Sequence, residues 1–173
     1  MRGFFGVGVE GISKGANLGS LVRSTHAFGG SFFFTLSTIL DLEGVRASDT
    51  SDAFDHLPFY NFRGLEDLVL PQGSALVGIE LTPDAVDLPS FRHPVRATYI
   101  LGPEMGSLSP GVQERCDFIV KIPTKFCVNV GVAGAIILYD RLISMGRFAD
   151  RPVGAGGPLE SMPPPLWQPR RTG

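Results

Sequence analysis

The chain has 173 residues, 43% hydrophobic and 18% charged, with a formal net charge of −2. That length suits one domain burying roughly two-thirds of the surface its unfolded chain exposes, with no need of a disulfide framework. The charge balance argues against a protein that coats nucleic acid indiscriminately, the two cysteines and three histidines show no metal-ligand spacing, and no apolar run reaches the roughly 18 residues of a membrane span. Cys116 and Cys127 read as reduced thiols, and the N-terminus lacks the layout of a signal peptide, so a cytoplasmic protein is expected.

In chain order, short apolar runs rich in β-branched and aromatic residues predict strands at 4–12, 31–37, 75–81, 97–102 and 117–123. Apolar residues at three- and four-residue spacing predict helices at 17–28, 64–69, 109–115 and 129–146. Strands that are apolar on both faces and alternate with helices imply an α/β domain, a mostly parallel sheet flanked by helices. The expected division is a domain at 1–150 and a Pro/Gly-rich tail at 151–173 that docks, if at all, through Leu166 and Trp167.

Charge is distributed unevenly. Residues 41–67 hold seven acids against Arg46 and Arg63, which leaves thirteen basic and ten acidic side chains elsewhere. Twelve of the fifteen basic residues are arginines, the type suited to bidentate phosphate contact, although an ordinary solvated surface explains the charge equally well.

Four motifs carry candidate chemistry. GVGVEG satisfies a dinucleotide-type glycine spacing through Gly6, Gly8 and Gly11, but it lies within a strand rather than between a strand and its helix; close backbone packing explains it better than a Rossmann oxidoreductase site. In ANLGSLVRS, Asn17 reads as a helix cap, Gly19 leaves the first turn open, and Arg23 lies four residues on along the same face. These three make a polar notch suited to an anion, or else a capped helix with a snorkelling arginine. LGPEMGSLS follows a strand end, where parallel sheets place ligands, and sets Glu104 among accessible backbone groups. In IPTKFCVNVGVAGA, Pro123 stops a strand and Asn129 opens a helix of small residues; no base accompanies Cys127, which is read as a loop thiol.

Taken together and in this order, the last three motifs resemble the SpoU, or TrmH-like, branch of the SPOUT RNA methyltransferases. The first family motif stands here as Asn17, Gly19 and Arg23, the second as Gly102, Glu104 and Leu108, and the third as Ile122, Pro123, Asn129, Val130 and Ala133. Ser107 replaces a usual glycine, Cys127 and Val128 replace Ser-Leu, and Thr124 replaces a common Met. The resemblance implies a C-terminal deep trefoil knot and S-adenosyl-L-methionine held largely by main-chain atoms at Ile79, Gly102, Ile122, Pro123, Cys127, Val128 and Asn129. It also implies a homodimer formed through the first and last helices, with Arg23 of one subunit beside the cofactor of the other.

The implied reaction is methyl transfer to a ribose 2′-hydroxyl of RNA. Arg23 would bind phosphate and stabilise the developing alkoxide, since a guanidinium keeps its proton. Asn17 and Glu104 would position Arg23 and the loops, and Asn129 would fix the third loop. A compact domain suits a small structured target, which favours tRNA over rRNA. Arg141, Arg147, Arg151, Arg170 and Arg171 could extend a basic track. A non-catalytic RNA-binding module of the same fold is the rival reading.

Overall fold

A computed structural model of the protein describes residues 3–47, 53–146 and 148–158. The five expected strands form as β1 (Phe4–Glu10), β2 (Phe32–Leu36), β4 (Ala75–Ile79), β6 (Arg96–Leu101) and β7 (Phe118–Lys121). Two further short strands, β3 (Phe59–Phe62) and β5 (Val86–Asp87), occupy opposite edges of a seven-stranded sheet ordered β3-β2-β1-β6-β4-β7-β5. All six neighbouring pairs are parallel.

Helices α1 (Gly15–Ala27), α4 (Pro110–Arg115) and α5 (Val130–Met145) lie where the periodicity predicts them. Two short helices, α2 (Leu42–Ala47) and α3 (Ala53–His56), were not expected, and the helix predicted at 64–69 is only a 3-10 turn over Leu65–Asp67. A turn that short cannot sustain an apolar stripe. Leu65, Leu68 and Leu70 instead pack on the sheet as irregular chain.

The sheet separates two cores. On one face, Phe5, Val7, Val9 and Tyr99 pack against Leu18, Leu21 and Val22 of α1 and Ile137 and Leu138 of α5; on the other, Phe34, Leu76 and Ile100 meet Leu108 and Val112 around α4. The glycines of GVGVEG belong to this packing. A Cβ on Gly6 would strike the Phe32 ring and one on Gly8 the Phe34 ring, so both glycines let phenylalanines of β2 lie across β1. Helices α1 and α5 approach equally closely, since a Cβ on Gly134 would strike Leu21.

A buried polar cluster ties α5 to the start of β6. Arg141, 6% exposed, donates from Nη1 to the Pro94 carbonyl (2.7 Å) and the Tyr99 hydroxyl (3.0 Å), and from Nη2 to the Val95 carbonyl (3.0 Å). Its guanidinium also lies 5.1 Å from the centre of the Phe5 ring. Arg141 therefore cannot serve an exposed RNA track; burial and three carbonyl or hydroxyl acceptors make it structural. Arg147, Arg170 and Arg171 of that track, and Leu166 and Trp167 of the tail, lie outside the described residues, whereas Arg151 is exposed.

Candidate functional site

The loops after β1, β6 and β7 converge at the carboxyl edge of the sheet. Glu104, in the loop after β6, reaches the entry to α1. Its Oε2 accepts from the Ser13 N–H (3.1 Å) and hydroxyl (3.0 Å), and its Oε1 accepts from the Lys14 N–H (3.0 Å) and Asn17 Nδ2 (3.1 Å). Asn129 Nδ2 in turn donates to Asn17 Oδ1 (3.0 Å), while Asn129 Oδ1 caps α5 through the Gly131 (2.9 Å) and Val132 (3.3 Å) amides. Residues from three distant segments thus enter a single continuous network.

The expected role of Asn17 as cap of α1 is corrected by this geometry. Lys14 occupies the cap position without a side-chain cap bond, and Asn17 lies inside the first turn. The acid that accepts the cap residue's N–H, supplied locally in a capping box, comes here from Glu104, 90 residues away. Burial pushes the Glu104 carboxyl up, but hydrogen bonds from Asn17, the Ser13 backbone, its own backbone and the Ser13 hydroxyl together outweigh it and hold it down at about 2. It is a carboxylate throughout the physiological range, which suits an anchor rather than a proton carrier.

Beside this network lies an open cleft of about 100 Å³ at the carboxyl ends of β4, β6 and β7. Of the seven residues expected at the cofactor, Ile79, Gly102, Ile122, Cys127 and Val128 line it together; Pro123 and Asn129 do not. Pro123 is exposed, and Asn129 turns to Asn17 instead. Nothing in the sequence points to Glu80 and Lys121, which add charge to the lining, or to Leu101, which adds apolar wall; Val130 and Ala133, expected only as motif residues, line it too.

A Cβ on Gly102 would come within 3.0 Å of the Leu108 nitrogen and 3.4 Å of the Ser107 carbonyl carbon, so glycine lets the end of its own loop pack closely against it. Bare backbone, aliphatic walls and a carboxylate fit a nucleoside-like ligand: apolar surface for a base, polar groups for a ribose.

Arg23 sits apart. It is exposed on α1, does not line the cleft, and meets no hydrogen-bond or ion-pair partner among the described residues. The polar notch expected of Asn17, Gly19 and Arg23 therefore does not close: Asn17 turns to Glu104, and Gly19 stays open, with nothing within 4 Å of the place a Cβ would take.

Fold and site together define an α/β ligand-binding domain with its cleft at the carboxyl edge of a parallel sheet. Residues 5–139 match the SpoU rRNA Methylase family, and the chain belongs to that family. It is 26% identical over 139 residues to the Mus musculus tRNA (guanosine(18)-2'-O)-methyltransferase TARBP1, a match covering 75% of this chain and 9% of that protein. Its fold is similar to that of an AdoMet-bound rRNA methyltransferase from Sinorhizobium meliloti (TM-score 0.74, 19% identity, 84% of this chain and 58% of that one). The SpoU methyltransferase AviRb from Streptomyces viridochromogenes, in complex with AdoMet, is also similar (TM-score 0.71, 24% identity, 83% and 61%). The chain thus spans only part of the length of these relatives.

Proposed function

We propose that the protein is an S-adenosyl-L-methionine-dependent methyltransferase that acts on a ribose 2′-hydroxyl of RNA. The observation that carries this reading is the Glu104–Asn17–Asn129 network, which joins three family motifs beside a cleft of nucleoside-binding character. A 2′-hydroxyl of tRNA is the proposed target because the mouse relative is by name a tRNA 2'-O-methyltransferase. The Sinorhizobium protein, by name an rRNA methyltransferase, keeps rRNA as the alternative. A cytoplasmic site of action is part of this proposal.

When bound, S-adenosyl-L-methionine supplies a methyl group on a sulfonium, and its transfer leaves a neutral thioether. Ile79, Leu101 and Val128 would shield the base from water, and Gly102 would offer backbone to the ligand. Cys127, Ile122 and the neighbouring Pro123 would shape the third loop, with Asn129 fixing its end. Arg23 would hold the phosphate next to the target ribose and stabilise negative charge on the 2′-oxygen as its proton passes to water or phosphate.

The position of Arg23, exposed and outside its own cleft, supports action at the cleft of a second subunit. An apolar groove between α1 and α5, formed by Phe28, Val132, Ala135, Ile136 and Tyr139, supports a homodimer through these helices. Val132 and Tyr139 are 50% and 51% exposed on it. The deep C-terminal knot implied by the resemblance is part of this proposal. The domain at 1–150 fits with α5 as the last helix among the described residues.

The test is incubation with S-adenosyl-L-methionine and small RNA from a strain lacking the protein, followed by nucleoside mass spectrometry. A new 2′-O-methyl nucleoside is expected. A methylated base would move the reaction elsewhere in the superfamily, and RNA binding without product would favour the non-catalytic module.

A further inference from the structure

The loop between β6 and α4, residues 102–109, supplies Gly102 to the cleft and Glu104 to the motif network. Two more carboxylates hold its far end, and neither belongs to the three family motifs. Glu80 Oε2 accepts from the Leu108 N–H (2.7 Å), and Glu10 Oε2 accepts from the Ser109 N–H (2.8 Å). These glutamates end the two strands that flank β6: Glu10 is the last residue of β1, and Glu80 directly follows β4. Adjacent amides of one loop are therefore gripped from the left and right neighbours of the strand the loop leaves.

Other contacts complete the grip. Gln113 Nε2 donates to the Leu108 carbonyl (2.7 Å), and the Leu108 side chain is 1% exposed in the second core. Leu108 is thus fixed by its N–H, its carbonyl and its side chain, with Gly102 packed against its nitrogen. Displacing Leu108 moves the backbone that Gly102 presents to the cleft. Charge-assisted bonds of this length are among the stronger polar contacts available to a loop.

We propose that Glu10 and Glu80 are positioning residues that clamp the 102–109 loop and so preorganise the backbone face of the cleft. Glu80 lines the cleft, but Glu10 does not, so an effect of Glu10 on ligand binding has to travel through the loop. The inference rests on the proposed identity of the cleft as the S-adenosyl site, and two readouts keep the two claims apart.

The first readout needs no ligand. In the wild-type chain, amide hydrogen exchange should show Leu108 and Ser109 protected; Glu80→Ala should release Leu108 and Glu10→Ala should release Ser109, and unchanged protection in both variants would overturn the clamp. The second is calorimetry with S-adenosylhomocysteine. Each alanine variant should bind roughly 10-fold more weakly, as expected when supporting groups let a site loosen. Glu10→Gln and Glu80→Gln, which keep an acceptor oxygen, should return to within about threefold of wild type.

Because both residues act on one loop, the double alanine variant should lose less than the product of the single losses. Glutamine variants as weak as alanine variants, or a fully multiplicative double loss, would overturn the proposal. A wild-type chain that fails to bind S-adenosylhomocysteine would sink the reading of the cleft, while the exchange pattern would still decide the clamp.

Discussion

Strand β6 carries a polar network at each end, and both networks tie it to helices α1 or α5. At its carboxyl end, Glu104, Asn17 and Asn129 join loops at the surface; at its start, His93, Tyr99, Asp140 and Arg141 join β6 to the far half of α5. The second is a closed chain. Arg141 donates to the Tyr99 oxygen (3.0 Å), the Tyr99 hydroxyl is 2.6 Å from His93 Nδ1, and His93 Nε2 is 3.0 Å from Asp140 Oδ2. A neutral imidazole protonated at Nε2, the tautomer this pattern assigns, satisfies every member. The carboxyl-end network borders an open cleft, and Arg23 stands exposed farther along α1 without a partner among the described residues. Side-chain hydrogen bonding thus gives rigidity where it is enclosed and stays available to a ligand where it is open.

The sharpest way to break this contrast is to remove each arginine. Arg141→Ala strands the Tyr99 hydroxyl and two carbonyls in the interior, and should lower stability by about 3 kcal/mol or more in denaturant melts. Arg23→Ala should leave stability within about 0.5 kcal/mol, yet cut methyl transfer about 100- to 1,000-fold with S-adenosylhomocysteine binding intact. Near-normal turnover by Arg23→Ala would remove Arg23 from the chemistry. A stable Arg141→Ala would mean that the buried chain is not a lock.

These arginines also show where the sequence is legible. Both follow apolar residues at helical spacing, so periodicity treats them alike. Only its motif distinguishes Arg23, and Arg141 reads as part of a surface track; nothing local tells that carbonyls of Pro94 and Val95 wait for it 47 and 46 residues away. The longer elements are legible because their periodicity is local. The edge strands β3 and β5 are not, because four and two residues carry too little pattern. Strand order is a matter of crossovers, which no run of residues encodes. Five of seven expected cofactor contacts share one cleft, whereas Glu10 and Glu80 have no signal: each is a lone acid at a strand end whose partner is a backbone amide.

A smaller effect separates the networks by pH. The Glu104 carboxyl, held at about 2 against an ordinary 4.5, contributes stability that is fully present above about pH 4.5 and is lost as pH falls towards 2. In Glu104→Gln, an amide faces donors from Ser13, Lys14 and Asn17, so this part of the acid dependence should disappear, along with about 1 kcal/mol of stability at neutral pH. Acid titrations of both forms, followed by circular dichroism at fixed denaturant, would show it. Parallel curves would mean that Glu104 is not an anchor.

The smallest predicted effect tests the closed network through His93, where two forces compete. Burial lowers the imidazole pKa, while the hydrogen bond and charge of Asp140 raise it and the charge of Arg141 lowers it again; the net shift is downward from 6.5. The folded chain therefore keeps His93 neutral at a pH where the unfolded chain has begun to bind its proton. Stability from this group is complete above about pH 6.5 and falls as pH drops from 6.5 towards the lower folded value. Were the Asp140 ion pair dominant, the sign would reverse, and acidification through that range would stabilise the fold. Protonation would also force Nδ1 to donate to a Tyr99 oxygen that already accepts from Arg141, leaving the hydroxyl proton without its acceptor. His93→Asn removes the titration, so the slope of stability between pH 5 and 7 should be shallower than in the wild type, at about the span where unperturbed histidine titrates. A steeper slope in the variant would show that Asp140, rather than burial, governs the buried end of β6.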